Sequence, residues 1–171
     1  MGVLRSLVRG AVSGTILLAL LGAGLLWGYP ALRRLRDNPG YAEKLFAGVL
    51  EHDRVLASRR WHGWGAESWD CSYGIVELSD AAAPTPPTAV SGDGWQFAYG
   101  GNWQASPAPP LNDTTRDALD FCSRYWDAAL AGRLERALNT PGSWYIRDGV
   151  GETVFLYSVP ERLAARIRYG D

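Results

Sequence analysis

Lysine is almost missing from this chain. Lys44 stands alone beside sixteen arginines, and the net charge is −1. A nucleic-acid-binding domain shows a basic excess, so that class of partner is excluded. The preference for arginine fits a GC-rich genome and carries no partner by itself. Histidine and cysteine are scarce as well, at two each. His52, His62, Cys71 and Cys122 have no finger-like spacing, and the His52-Asp53 pair lacks the further histidines of a metal phosphohydrolase, so neither a metal nor a cofactor is expected. There is no phosphate-binding glycine loop, no dinucleotide fingerprint and no serine elbow.

One long stretch lacks charge altogether. Residues 10–32 carry none, between Arg9 and Arg33. As a helix this run spans about 35 Å, and a bilayer core is about 30 Å thick. Trp27 and Tyr29 stand at its end, where interfacial aromatics sit. A cleaved signal peptide has a shorter apolar core and a small-x-small site before a polar break. Here Gly22-Ala23-Gly24 is followed by Leu25, Leu26 and Trp27, so the run reads as a retained single-pass transmembrane helix. Gly10, Gly14, Gly24 and Gly28 share one face of it. Small residues four apart permit close helix packing in lipid, so a membrane protein partner or a second copy is a candidate to pack on the anchor.

The basic residues flank the run almost evenly. Arg5 and Arg9 precede it; Arg33, Arg34, Arg36 and Lys44 follow. The short basic tail resembles the start of an export signal. Cys71 and Cys122 add weight to the same side, since an isolated even pair forms a disulfide in an oxidising compartment. Two buried free thiols are the alternative. The expectation is an inner-membrane protein whose C-terminal domain is extracytoplasmic.

Four parts follow: a basic tail over 1–9, the transmembrane helix over 10–30, a membrane-proximal helical segment over 31–60, and a soluble α+β domain over 61–171. Tyr41, Leu45, Phe46, Val49, Leu50 and Leu56 recur at three- and four-residue steps, predicting a helix from Tyr41 to Arg60. Cys71, Tyr73 and Ile75 alternate with polar or small residues, predicting a strand to Leu78. The Pro/Ala/Gly-rich residues 80–94 read as a loop. Residues 95–105 read as a hairpin about Gly100-Gly101. Asn112 and Asp113 are candidate caps for one helix running to Asn139, with Leu119, Cys122, Trp126, Leu130, Leu134 and Leu138 facing the core. "SWYIRD" and "ETVFLYSV" read as a hairpin about Gly149-Val150-Gly151, and Pro160 as the start of a last helix. The fold class is α+β, a mainly antiparallel sheet with about three helices covering one face.

The densest chemistry lies between residues 61 and 70, which hold Trp61, His62, Trp64, Glu67, Trp69 and Asp70. Indole faces stack on sugars, and a glycosidase needs two carboxylates at a set separation. Glu67, Asp70 and His62 are therefore the catalytic candidates and Trp61, Trp64 and Trp69 the binding candidates. A structural aromatic cluster explains the same residues. The leading expectation is a non-catalytic protein that binds a partner or supports an envelope complex. A membrane-tethered glycan binder or hydrolase is the alternative.

Overall fold

The computed structural model describes residues 20, 22–24, 38–60, 71–92, 94–111, 117–148 and 151–170. The chain divides into two units, Met1–Arg36 and Asp37–Asp171. Of the first unit, Leu20 and residues 22–24 are described. The expected anchor, with Gly10, Gly14 and Gly28, lies otherwise outside the described residues. A Cβ added at Gly24 meets no atom within 4 Å. Among the described residues no helix is long and apolar enough to cross a membrane.

The second unit is α+β. Among the described residues its sheet has six strands in the order β1-β2-β6-β5-β4-β3, every neighbouring pair antiparallel. They are β1 (His52–Arg59), β2 (Cys71–Leu78), β3 (Gln104–Ala105), β4 (Ser143–Arg147), β5 (Thr153–Ser158) and β6 (Leu163–Tyr169). Three helices accompany them: α1 (Pro39–Phe46), α2 (Ala118–Cys122) and α3 (Ala128–Asn139).

Successive side chains of a strand point to opposite faces. Cys71, Tyr73 and Ile75 of β2, Val154 and Leu156 of β5, and Leu163, Ala165 and Ile167 of β6 bury one face against α2 and α3. Val76 and Leu78, Tyr157, and Ala164 bury the other against α1, Phe97 and Tyr99. The expected one-sided cover is therefore corrected: helices lie on both faces. Gly74 shows how closely α1 approaches. A Cβ there meets Leu45 Cδ2 at 2.9 Å and the Ala42 Cα at 3.2 Å.

Four expected elements change. The helix predicted to Arg60 stops at Phe46, because Gly48 at φ +69° takes the left-handed conformation that ends helices. Residues 52–59 then pair with β2 as β1, with register irregularities on either side of the Arg54–Val55 pair. The helix predicted to Asn139 is two helices. Asp117 and Asp127 each cap a new start, accepting from Asp120 N at 3.0 Å and Leu130 N at 2.8 Å, and Trp126 between them is extended. Asn112 and Asp113 lie outside the described residues. Residues 95–105 do not pair with each other: Trp95–Phe97 is a 3₁₀ turn, Tyr99 bridges to Ser91, and β3 pairs with β4. The last helix is instead β6, in the middle of the sheet, and Pro160 sits in the turn that enters it.

The β4–β5 hairpin and the β2 strand form as expected. Cys71 and Cys122 are bonded, with an S–S distance of 2.02 Å, tying the start of β2 to the end of α2. Both are fully buried.

Three phenols join the layers. Tyr99 is fully buried, donates to Leu156 O at 2.7 Å and packs edge-on against Phe46, and burial holds its pKa well above the ordinary value of 10.0. Burial raises Tyr41 and Tyr157 as well. The unfolded phenols ionise near pH 10, whereas the folded ones stay protonated, so the native state binds more protons above that pH. The phenols' contribution is constant below about pH 10 and falls as pH rises beyond it, by on the order of 1.4 kcal/mol per pH unit for each fully protected phenol. Urea titrations at pH 8, 10 and 11 check this. A Tyr99→Phe variant whose stability falls equally steeply refutes the assignment to Tyr99.

Candidate functional site

An open cleft of about 380 Å³ runs beside β1, lined by Pro39, Val55–Ser58, Tyr73, Tyr125, Trp126, Asp127 and Leu130. Its size falls in the range of small-molecule and side-chain pockets. Three sequence features make it. Among the described residues β1 pairs with β2 alone, and Val55–Ser58 of β1 line the cleft. The break in the helix between α2 and α3 brings Tyr125 and Trp126 beside Tyr73. The Tyr73 and Trp126 rings meet edge-on at 5.3 Å, and Tyr73 and Tyr125 lie 6.4 Å apart. Asp127 caps α3 and so brings Leu130 of its first turn to the wall.

The walls mix aromatic and aliphatic side chains (Tyr73, Tyr125, Trp126, Val55, Leu56, Leu130) with polar groups from Ser58 and Asp127. The buried Arg59 guanidinium lies over the Tyr125 ring at 4.1 Å, stiffening one side. Asp127 is the cleft's carboxylate, and its Oδ1 is engaged by the Leu130 N–H. Among the described residues no acid–base pair lines the cleft. Among the described residues no three His, Cys, Asp or Glu side chains are grouped to hold a metal ion.

The expected site at Trp61, His62, Trp64, Glu67, Trp69 and Asp70 lies outside the described residues. Its two flanks do not. β1 ends at Arg59, one residue before Arg60, and β2 begins at the disulfide-bonded Cys71. At the same end of the sheet stands the Trp95–Phe97 turn. Arg166 Nη2 donates to Trp95 O at 3.0 Å, Tyr41 Oη donates to Gln96 O at 2.9 Å, and Arg60 donates to Gln96 Oε1. Trp95 is nevertheless 55% exposed, with the Arg168 guanidinium 4.2 Å from its ring centroid.

Sequence reasoning placed Trp126 and Leu130 on a core stripe and passed over Tyr125. Periodicity had no means of separating a core stripe from a cleft wall once the helix was taken as continuous. The signal was present in the two capping aspartates, Asp117 and Asp127, each directly before an alanine. Comparison with family models, with curated proteins and with solved structures finds no match to this chain.

Proposed function

We propose that this chain is a single-pass membrane-anchored protein whose extracytoplasmic domain is non-catalytic and holds a partner protein through the cleft beside β1. The observation that carries the reading is the cleft itself. It presents Tyr125, Trp126, Leu56 and Leu130 from two independent layers, and among the described residues that line it Asp127 is the one carboxylate. Aromatic residues are enriched at the centres of protein interfaces, where they fill or form pockets. The irregularities in β1 blunt its edge against long strand pairing, which favours a short inserted apolar segment over an added strand. The uncharged run at 10–32 supports the anchor, and the Cys71–Cys122 bond supports the oxidising side of the membrane.

A photo-crosslinking residue in place of Leu130, in intact membranes, tests the cleft. The expected result is one discrete adduct, at least fivefold stronger than from Glu135, an exposed residue of the same helix. It is expected to fade when Leu56→Glu is added. Equal adducts from both positions, or none from Leu130, refute the cleft. Sidedness is read separately. A membrane-impermeant thiol reagent applied to intact cells is expected to label a Glu135→Cys variant, whose added thiol stands at an exposed position. Labelling confined to permeabilised cells refutes the extracytoplasmic assignment.

A further inference from the structure

We propose that the face bearing Trp95 is a docking surface for anionic phospholipid headgroups, an inference that rests on the membrane tether proposed above. Exposed tryptophans are uncommon, and this one is held in place. The Trp95–Phe97 turn is fixed from below by Arg166 and Tyr41 and from the side by Arg60, so exposing the indole is a built property and not the result of a loose loop. An indole joins an apolar ring to one polar N–H and settles at the boundary between headgroups and acyl chains.

Cations bracket the turn. Lys44 Nζ lies 4.3 Å and the Arg60 guanidinium 5.2 Å from the centroid of the Phe97 ring. Lys44 is exposed, and neither it nor Arg60 forms an ion pair with a carboxylate of the described residues. Each basic side chain held near an anionic leaflet adds about 1 kcal/mol of attraction. The positive charge of the corner at Lys44, Arg60 and Arg168 beside Trp95 complements an anionic leaflet.

The test uses the full chain in lipid nanodiscs, with a nitroxide on Trp95→Cys or, as control, on Val159→Cys. Val159 is 45% exposed and stands in the β5–β6 turn, at the other end of β6 from Arg168. The native cysteines stay in their buried disulfide. In discs containing phosphatidylglycerol, the ratio of oxygen to nickel-chelate collisions at position 95 is expected to be at least threefold that at position 159. Lys44→Glu, or discs of phosphatidylcholine alone, is expected to bring the ratio back to within twofold of the control. Equal ratios at the two positions in a membrane-inserted chain overturn the docking face and leave the tether standing. Shielding of position 95 from both reagents in either lipid shows the position packed against protein and not lipid, and also overturns it. A chain that alkaline carbonate strips from vesicles overturns the tether and this proposal together.

Discussion

Replacing Cys71 and Cys122 together by alanine is expected to lower the unfolding free energy by about 4 kcal/mol and the melting temperature by roughly 10–20 °C. The bond closes a loop with a sequence separation of 51. Cross-linking a loop of that length removes about 4 kcal/mol of chain entropy from the unfolded state. The loop is not a surface appendage. It contains β2, β3 and the long connection that packs Phe97 and Tyr99 on the α1 side of the sheet. Opening it therefore frees in the unfolded chain segments that end up on both faces. Both sulfurs are buried, so reductant reaches them only through unfolding. At neutral pH without denaturant, thiol release by dithiothreitol is expected to follow the global unfolding rate. It should accelerate steeply once urea approaches the transition. Fast release from the native state, at a rate independent of urea, rejects the buried linkage. A double alanine variant that melts within 3 °C of the parent rejects its contribution to stability.

The two cysteines were legible because an isolated even pair has few uses. The strand that carries Cys71 was legible as well, from the alternation of Cys71, Tyr73 and Ile75. The alternation did not reveal that the intervening positions are buried too. Gly74 read as part of the solvated side, yet it is buried and α1 packs on it. Period two marks a half-buried strand, whereas a central strand covered on both sides loses the polar half of its pattern. β6 was hidden for a related reason. Leu, Ala and Arg are good helix formers, and "ERLAARIRY" follows a proline suited to a helix start. Partners on both sides override that preference: β2 pairs with the strand from Glu77 to Cys71, and β5 from Ser158 to Thr153. β1 was mistaken because Leu45, Phe46, Val49 and Leu50 continue a helical spacing through a turn that Gly48 makes. The cleft was illegible because its walls come from strand, helix break and helix start, brought together only by the fold. Composition drew attention instead to residues 61–70, and the described structure bears on their flanks, Arg60 and Cys71.

Arg166 gives the other large expected effect, with an unusual ordering of variants. Its side chain is buried, with the residue 3% exposed, and burial pulls its pKa below the ordinary arginine value. It is satisfied by neutral groups. Nη1 donates to the Tyr41 phenol oxygen at 2.7 Å and Nη2 to Trp95 O at 3.0 Å, while Nε has no hydrogen-bond partner. The guanidinium also lies 5.7 Å from the Phe155 ring centroid. Desolvating a cation costs several kcal/mol, and two neutral acceptors with one ring face offset only part of that. Arg166→Met keeps most of the volume and removes the charge. It is therefore expected to fall within about 1 kcal/mol of the parent. Arg166→Ala also removes the charge but leaves a cavity, at a cost of about 3 kcal/mol. Tyr41→Phe keeps the charge and takes away an acceptor, at about 2–3 kcal/mol. In the pair Tyr41→Phe with Arg166→Met the phenylalanine no longer strands a cation, so the double variant should be more stable than the sum of the singles by at least 1 kcal/mol. Urea unfolding of the four proteins measures the cycle. If Arg166→Met costs as much as Arg166→Ala, the buried charge itself stabilises the fold and this account of the Trp95 turn is wrong. If the ordering holds, Arg166 is kept at a cost in stability, and its contribution is to hold the turn that presents Trp95.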